Sequence, residues 1–287
     1  MRLLNALPPY NMFGLEDQDY KKAKVVVIPV PYDSTSTYKA GSREGPHAII
    51  EASRTVELYS EETGSDISRI GIFTTDELAP DYSSPENMVK RIESEVKVVI
   101  GDKKIPVLIG GEHTISVGSI SALSKVNKKF SVLQFDAHSD SRDSYQGTRY
   151  CHACVIARAR ELCNGTYSVG IRSMEEGADR RKDVLLMKDM HKMTNEQIAK
   201  KIIDGTEDSV YLTIDFDVLD SSEMPSTGTP EPDGMSFHNV KEILRIVLKK
   251  KKVIGLDFVE LNPIPGFVAP NYLAAKLIYL TIGFAFS

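Results

Sequence analysis

Short apolar runs alternate along the chain with longer segments whose apolar positions recur every three to four residues. The short runs are rich in β-branched residues and predict strands, whereas the longer segments predict helices. The predicted strands are Lys24–Pro29, Ile105–Ile109, Phe130–Phe135, Thr166–Ile171, Val184–Met187, Val210–Asp217 and Val253–Val259. The predicted helices are Gly45–Leu58, Pro85–Gly101, Thr114–Lys125, His152–Cys163, Thr194–Asp204, Ser236–Lys250 and Pro270–Ile282.

This alternation indicates the fold class. Strands without a polar residue at every second position are typical of strands covered on both faces, and helical crossovers imply parallel pairing. We therefore expect an α/β fold, a three-layer α/β/α sandwich with a mostly parallel central sheet. No linker rich in Pro, Gly or Ser interrupts the 287 residues, so we expect a single domain over residues 1–287.

Composition and charge exclude several classes of protein. The chain is 41% hydrophobic and 26% charged, the usual balance of a globular protein. Its 35 Lys and Arg residues against 40 Asp and Glu residues give a net charge of -5, which disfavours nucleic acid as a partner because phosphate binding needs a basic surface. The longest apolar stretch, Leu277–Phe286, is shorter than the roughly 20 residues of a bilayer span, so we expect no membrane association.

The cysteines bear on the compartment. Cys151, Cys154 and Cys163 cannot all pair within one chain, and a protein of this length does not depend on disulfides. The sequence therefore predicts a reducing, cytoplasmic location. Cys151 and Cys154 have a C-x-x-C spacing, but no thioredoxin-like pattern surrounds them, and we interpret them as small core-facing residues at the start of a helix.

Potential metal ligands collect where predicted strands end. Ligands of open parallel sheets bind outside the carboxyl ends of the strands. Six ligand-type side chains follow three of these strands: His113, Asp136, His138, Asp140, Asp215 and Asp217. An extended backbone sends residues at alternate positions to one side, so each cluster is expected to present its ligands to a common site.

Four carboxylates and two imidazoles are too many ligands for one tetrahedral zinc, but they suit two cations that share carboxylates. A ligand set without cysteine favours manganese over zinc. Two cations about 3.5–4 Å apart can hold a water between them and lower its pKa towards neutrality. The alternative, that these residues are solvated loops and helix caps, would leave four carboxylates repelling one another at one sheet edge. The residues therefore predict a binuclear metal hydrolase.

Three segments also carry a family resemblance: GGEHTIS at 110–116, FDAHSD at 135–140 and TIDFDVLD at 213–220. They resemble the metal-binding motifs of the ureohydrolase family, which contains arginase, agmatinase and formiminoglutamase. The segments PYDSTSTYKAGSREGPHAIIEAS, SVGIRS, STGTPEPDG and GLDFVELNP are similar to other parts of that family. The resemblance covers most of the chain and implies the arginase-like α/β fold.

The resemblance implies two manganese ions (Mn²⁺) per subunit. The first ligand set is His113, Asp136, Asp140 and Asp215, and the second is Asp136, His138, Asp215 and Asp217. Asp136 and Asp215 would then bridge the two ions, with a hydroxide between the metals.

The resemblance also implies two catalytic residues. His152, in YCHACVIARA, corresponds to a histidine that relays a proton to the departing amine, and Glu260, in FVELNP, to a glutamate that binds the guanidinium. A carboxylate can accept two parallel N–H bonds from the planar cation, and an imidazole titrates near neutral pH. The implied reaction is attack of the hydroxide on the guanidinium carbon, converting agmatine and water to putrescine and urea.

Substrate choice is less narrowly defined by the sequence. Ser226 and Asp233 stand where many relatives have glycine, and both could reshape the loop on the substrate side. The segments SRDSYQGTRY and GIRSMEEG are more similar to those of agmatinases, so the expected partner is a small cationic guanidino substrate such as agmatine. Arginine, guanidinobutyrate, aminopropylagmatine and formiminoglutamate remain alternative substrates, and a non-catalytic metal-binding homologue remains an alternative function. The family also implies a homo-oligomer, a trimer or a hexamer.

Overall fold

The computed structural model describes residues 6–127 and 129–287, and its main feature is one sheet of eight parallel strands. The strands of these ranges are β1 (Val25–Val30), β2 (Tyr59–Ser60), β3 (Ser65–Asp66), β4 (Ile72–Thr74), β5 (Ile105–Gly110), β6 (Ser131–Phe135), β7 (Gly165–Ile171), β8 (Val184–Leu186), β9 (Ser209–Asp215) and β10 (Lys252–Val259). Strands β2 and β3 form a separate antiparallel pair. The other eight lie in the order β4-β1-β5-β10-β9-β6-β7-β8.

The α-helices follow the predicted pattern, and several begin at recognisable capping residues. In chain order they are α1 (Gly45–Ser53), α2 (Pro85–Gly101), α3 (Ile115–Ser124), α4 (Val155–Leu162), α5 (Met187–Met190), α6 (Asn195–Gly205), α7 (Phe237–Leu248) and α8 (Ala269–Phe286). The Ser84 hydroxyl accepts the backbone N–H of Asn87 at 3.1 Å and so caps α2. Thr194 and Gln197 form a reciprocal capping box at the start of α6.

Helices cover both faces of the sheet. On one face, Val26 of β1 belongs to an apolar cluster with Ile92 of α2, and this layer continues through α3 and α4. On the other face, Val27 packs in a cluster with Ile49 of α1 and Leu277 of α8, and α6 and α7 complete that layer. All residues of β1 are buried because each side chain faces one helical layer or the other. The predicted three-layer α/β/α sandwich is confirmed.

The four central strands, β5, β10, β9 and β6, bring the candidate ligands to one edge of the sheet. His113 follows β5, Asp136 follows β6, Asp215 is the last residue of β9, and Glu260 follows β10. Because all four strands run in the same direction, their carboxyl ends meet at one place. The sheet order therefore determines where the site forms.

Two predicted helix boundaries are wrong. The first helix ends at Ser53 rather than Leu58, because the Ser53 hydroxyl bonds the Ile50 carbonyl at 2.8 Å and also accepts the backbone N–H of Phe13. The last helix continues past Ile282 to Phe286, through apolar residues that contain no helix breaker.

Two predicted strand ends are also wrong, and one helix begins differently. Strand β9 ends at Asp215, and Phe216–Val218 form a 3-10 turn. Met187 begins α5 instead of ending β8. Residues His152–Cys154 form a 3-10 turn, and the α-helix begins only at Val155. Strand β4, the β2–β3 pair and α5 were not predicted, because elements of two to four residues carry too little periodicity.

Among the described residues no helix could cross a membrane.

Helices α2 and α3 approach each other closely around Gly118. A Cβ at this position would lie 2.7 Å from the Val89 carbonyl oxygen, so a larger residue would push the helices apart. This approach brings Glu93 of α2 to Ser121 of α3, whose hydroxyl donates to the carboxylate at 2.6 Å, while Lys97 and Lys125 form ion pairs with it. Burial alone would raise the pKa of Glu93, but these bonds lower it to about 2.

Replacing Glu93 with Gln should lower the free energy of unfolding at pH 7 by about 1–2 kcal/mol, less than the full pKa shift implies because the lysines are partly exposed. A lowered folded-state pKa stabilises the protein fully above the ordinary value of 4.5, and this stabilisation disappears as the pH falls towards 2. Urea unfolding between pH 3 and 7 should therefore show the two proteins converging at low pH. Glu95→Gln, at an exposed position of α2, is the control and should change little; a constant difference for Glu93→Gln would contradict this assignment.

Candidate metal centre and active site

The structure brings all eight predicted site residues to the carboxyl edge of the sheet. Five of the six predicted ligands form two groups that share Asp136, and Asp215 approaches only the first group. His152 and Glu260 lie in the wall of a cavity that Asp140, His138, Asp215 and Asp217 also line. His113, Asp136, Asp215 and Asp217 are each 3% exposed or less, Asp140 is 8% exposed, and His138 is partly exposed at the cavity wall.

The first group surrounds the imidazole of His113. Its Nδ1 lies 3.1 Å from Asp136 Oδ2, 3.0 Å from Asp140 Oδ2 and 3.5 Å from Asp215 Oδ2. Three carboxylates from two strand ends thus converge on one ring nitrogen. They are the four residues that the sequence assigns to the first ion.

The second group contains Asp136, His138 and Asp217. His138 Nδ1 lies 2.8 Å from Asp217 Oδ2 and 3.7 Å from Asp136 Oδ1. Asp136 therefore faces His113 with one oxygen and His138 with the other, the arrangement required of a bridging carboxylate. Asp215 approaches the first group through Oδ2, and its Oδ1 accepts the backbone N–H of Asp217 at 2.9 Å.

The surroundings of His113 show that the first group can accommodate a cation. Its buried Nδ1 has no hydrogen-bond partner among the described residues, although three carboxylate oxygens surround it. The other ring nitrogen, Nε2, lies 2.8 Å from the Thr213 hydroxyl, which donates to Asp257 at 2.6 Å. Such a chain fixes the orientation of a metal-binding imidazole and leaves the opposite nitrogen free for the metal. The donor set suits a pair of divalent cations.

The pKa values of the clustered carboxylates also favour a bound cation at this site. Burial, with the charges of Asp217 and Asp136, raises the pKa of Asp215 well above its usual value. Burial and the charge of Asp136 raise the pKa of Asp140 to about 6. Carboxylates this close cannot all ionise without a compensating positive charge. A cation between them would relieve the repulsion.

The backbone after β6 differs from the predicted extended segment. Asp140 has φ 45°, so Asp136, His138 and Asp140 do not project from a regular strand. Asp136 is held instead by the Gln134 side chain, which donates to its Oδ2 at 2.7 Å, and by the backbone N–H of His138, which donates to its Oδ1 at 2.6 Å. The alternate spacing therefore brings the ligands together through a turn rather than through the pleat.

Glu260 lies at the end of β10 in a strained conformation, with φ 68°. Its Oε1 accepts the backbone N–H of His113 at 2.7 Å, and its own N–H donates to the Gly111 carbonyl at 2.7 Å. Gly111 is required here, because a Cβ would lie 2.1 Å from the Tyr32 carbonyl oxygen. Burial, reinforced by the charge of Glu112, raises the pKa of Glu260 to about 8. These contacts hold the carboxylate at the cavity wall.

His152 is positioned by a chain that the sequence did not reveal. Its Nδ1 lies 3.2 Å from the Thr35 hydroxyl, which in turn donates to Glu112 at 2.8 Å. A hydroxyl that donates to Glu112 accepts from Nδ1–H, which leaves Nε2 unprotonated in the neutral ring. Burial and the charges of His113 and His138 lower the pKa of His152 to about 4. Glu112 belongs to the motif GGEHTIS, but its role in orienting His152 depends on Thr35, which lies 77 residues earlier in the chain.

These residues border a cavity of about 220 Å³. Five carboxylates line it, against the two cationic side chains Lys39 and Arg142; the carboxylates are those of Asp140, Asp215, Asp217, Glu175 and Glu260. Glu175 accepts hydroxyls from Ser139 at 2.6 Å and from Ser141. Burial acts to raise the pKa of Glu175, but the bonds from the two serines lower it below its usual value. This carboxylate is therefore ionised at neutral pH.

Comparison with known proteins identifies the relationship. The sequence profile of the arginase family matches residues 23–283. The chain belongs to the arginase family. An N(1)-aminopropylagmatine ureohydrolase of Synechocystis is 38% identical over 92% of this chain and 90% of its own length. An agmatinase of Pyrococcus horikoshii is 33% identical over 96% and 97%. The structure of the agmatine ureohydrolase of Thermoplasma volcanium, 33% identical, superposes with a TM-score of 0.85 over 93% of this chain and 92% of its own.

Membership of the arginase family confirms two of the sequence-based predictions: the family resemblance and the assignment as a hydrolase of guanidino compounds. The relatives divide between two substrates, agmatine and its aminopropyl derivative. The family relationship therefore establishes the class of reaction, and the side chains of the cavity must account for the choice of substrate.

Ser226 and Asp233, the two positions expected from the sequence to reshape the substrate loop, do not line this cavity, although Asp233 borders a neighbouring one. Ser226 is fully buried, and its carbonyl accepts the backbone N–H of Asn262 at 2.8 Å. Asp233 has φ 63°, a conformation that favours glycine, and its carboxylate pairs with His191 Nε2 at 3.0 Å. Arg172, from the GIRS segment, donates to the carbonyls of Pro232 and Glu231 and so fixes this loop. The cavity is lined instead by the intervening Gly228 and Thr229.

Removing the shared carboxylate should disrupt both groups. For Asp136→Asn, we expect the content of tightly bound divalent cation to fall by half or more, because Asp136 belongs to both groups of candidate ligands. Metal analysis after equilibrium dialysis measures this directly. Asp143→Asn, which alters an exposed carboxylate of the same loop, is the matched control and should retain the wild-type content. Equal metal content in the two variants would contradict the bridging role of Asp136.

Proposed function

We propose that this arginase-family chain hydrolyses agmatine, releasing urea and putrescine. The observation that carries the proposal is the cavity itself, which is bordered by the partly buried Glu260, the neutral His152 and members of both groups of candidate metal ligands. Agmatine is cationic at both ends, and an acidic cavity attracts and orients such a molecule. A non-catalytic role would not require Glu260 and His152 to be held so specifically beside the ligand groups.

The proposed cofactor is a pair of manganese ions. His113, Asp136, Asp140 and Asp215 would hold one, and Asp136, His138, Asp215 and Asp217 the other. Oxygen and imidazole ligands without thiolate suit manganese, which tolerates carboxylate-rich sites. When bound, such a pair of ions polarises water and supplies a nucleophile near neutral pH.

Glu260 would bind and orient the guanidinium. Its Oε1 is occupied by the backbone N–H of His113, so Oε2 is the oxygen available to the substrate. A charged guanidinium favours the ionised carboxylate and so offsets the raised pKa of Glu260. A bond to one or two guanidinium N–H groups would hold the planar cation with its carbon towards the ligand groups.

His152 would move the proton that the departing amine requires. Thr35 and Glu112 hold Nδ1, and Nε2 is then available to exchange a proton within the cavity. The lowered pKa of His152 keeps the imidazole neutral before the reaction, so it can accept a proton and later return it to the leaving nitrogen. Tyr145 packs edge-on against the ring, with 6.1 Å between ring centroids, and limits its rotation.

A second substrate candidate is N1-aminopropylagmatine, whose hydrolase in Synechocystis is 38% identical to this chain. Glu175 lies in the cavity wall beside Met174, and both residues also border a second, larger cavity of about 490 Å³. A longer polyamine tail could extend into this space, with Glu175 pairing with one of its ammonium groups. Glu175 is thus the residue proposed to bind the distal amine of either substrate.

Urea release by the manganese-loaded protein should be measured on agmatine, N1-aminopropylagmatine, arginine and guanidinobutyrate. We expect turnover of agmatine and little activity on arginine and guanidinobutyrate, because their carboxylate groups would be repelled by the predominantly acidic cavity. His152→Ala should lower kcat by about a hundredfold or more, the usual contribution of an acid–base group. Glu260→Gln should raise KM and lower kcat together, because binding and orientation share one carboxylate.

Preferential turnover of arginine would retain the reaction class and refute the choice of substrate. Failure on every guanidino compound, with two manganese ions bound per subunit, would refute the proposed function in favour of a non-catalytic homologue. Unchanged kcat in His152→Ala would refute the proton-transfer role while leaving the substrate assignment intact.

Neutralising Glu175 tests binding of the distal amine. Glu175→Gln should raise KM for agmatine by about tenfold, equivalent to about 1.4 kcal/mol, and change kcat little, because the lost contact is remote from the guanidinium. The aminopropyl substrate should lose at least as much if its longer tail uses the same carboxylate. Glu95→Gln, at an exposed position of α2 outside the lining of both cavities, should leave both constants near the wild-type values. Similar effects of the two variants would indicate only a loss of general negative charge.

A further inference from the structure

The thiols of Cys151 and Cys154 lie in contact, with 2.7 Å between the two Sγ atoms. Both residues are buried, at 1% and 0% exposure. Cys151 directly precedes the 3-10 turn His152–Cys154, Cys154 ends it, and the Cys154 backbone N–H donates to the Cys151 carbonyl at 3.0 Å. The third cysteine, Cys163, is at the far end of α4, where its thiol donates to the Gly165 carbonyl.

The distance between the two sulfurs is compatible with formation of a disulfide. A disulfide needs the sulfurs about 2.05 Å apart, so the two atoms must approach by only about 0.7 Å. A C-x-x-C turn at the start of a helix is also the position at which redox-active pairs occur, because the helix terminus stabilises a thiolate. The bond from Cys151 lowers the pKa of the Cys154 thiol, which makes Cys154 the more easily ionised of the two.

The turn is directly connected to the proposed catalytic machinery. His152 lies inside the ring that a Cys151–Cys154 bond would close, and its Nδ1 depends on a 3.2 Å contact with Thr35. The backbone N–H of Ile156 donates to the carbonyl of Asp140 at 2.9 Å, so the same turn also supports a predicted metal ligand. Drawing the sulfurs together would therefore change the position of His152 relative to the cavity.

We propose that Cys151 and Cys154 form a redox-active pair whose oxidation to a disulfide by a peroxide lowers turnover by displacing His152. The effect on turnover rests on the function proposed above, whereas formation of the disulfide does not. The two cysteines are core-facing residues at the start of a helix, as the sequence predicts, but their spacing could not show that the two sulfurs touch.

The chemistry balances with hydrogen peroxide as the oxidant. The Cys154 thiolate attacks one peroxide oxygen, the O–O bond breaks, and sulfenic acid forms with release of hydroxide. The Cys151 sulfur then attacks the sulfenic sulfur, the S–O bond breaks, and the second oxygen leaves as water. Two thiols and one peroxide thus give one disulfide and two waters. Neither thiol lines the cavity beside His152 and both are buried, so peroxide reaches them through local opening of the turn that carries His152.

The test uses the intact manganese-loaded enzyme before and after peroxide treatment, with catalase added to stop the reaction. Alkylation under denaturing conditions followed by peptide mapping should show Cys151 and Cys154 linked and Cys163 free. Urea release from agmatine should fall about tenfold in kcat, a part of the usual acid–base contribution, with KM nearly unchanged. Dithiothreitol should restore the activity.

Matched variants separate this pair from other targets of peroxide. Cys163→Ser should respond as the wild type does, whereas Cys151→Ser and Cys154→Ser should retain their activity after treatment. The proposal would be overturned if all three cysteines of the treated wild type were alkylated, or if the disulfide formed without loss of kcat. It would also be overturned if peroxide inactivated Cys151→Ser and Cys154→Ser as strongly as it inactivates the wild type. A reduced enzyme that releases no urea from any guanidino substrate would instead refute the proposed function, and with it the effect on turnover, while the peptide map would still decide whether the pair forms a disulfide.

Discussion

The accumulation of negative charge at one edge of the sheet is the constraint on which the rest of the site depends. Asp136, Asp140, Asp215 and Asp217 are nearly inaccessible to water, and Glu260 lies beside them. Carboxylates this close repel one another, and burial together with the charge of Asp136 raises the pKa of Asp140 and of Asp215. The fold accommodates them because the four central parallel strands end together, and a divalent cation pair would convert the repulsion into coordination. The same concentration of negative charge would favour cationic molecules in the cavity, as the proposed function requires.

Successive layers of hydrogen bonds keep this charged cluster in a defined geometry. Thr213 and Asp257 fix one nitrogen of His113, so the other can face the carboxylates. Thr35 and Glu112 act comparably on His152 from a loop far away in the sequence. In both cases a buried polar group is satisfied on one side and left available on the other, which limits the side chain to one orientation. Orientation of this kind makes a set of ordinary side chains competent for chemistry.

Different parts of the fold control the reaction and the choice of substrate. The reaction depends on strand ends, where the sheet fixes the backbone. The outer wall of the cavity comes from loops, where Glu175 is held by serines and Gly228 and Thr229 belong to a segment supported by Arg172. Loops can change without disturbing the sheet, which explains how relatives of one fold divide between substrates of different length. The Cys151–Cys154 turn lies between the two regions, where a small covalent change would alter catalysis without altering the sheet.

The sequence by itself indicated the fold class and six candidate metal ligands, because buried strands and ligand-rich strand ends are local patterns. Its motifs also resembled those of the family to which the chain belongs, and that resemblance added His152 and Glu260 as candidates. His113, Asp136 and Asp215 could be selected because each follows an apolar run. The tertiary structure alone decided that β5, β10, β9 and β6 are the central neighbours, and hence which ligands meet. It also decided that Thr35 supports His152, that Asp140 adopts a positive φ, and that two thiols touch. These features are non-local or depend on a single backbone torsion, so spacing along the chain could not specify them, whereas packing in three dimensions does.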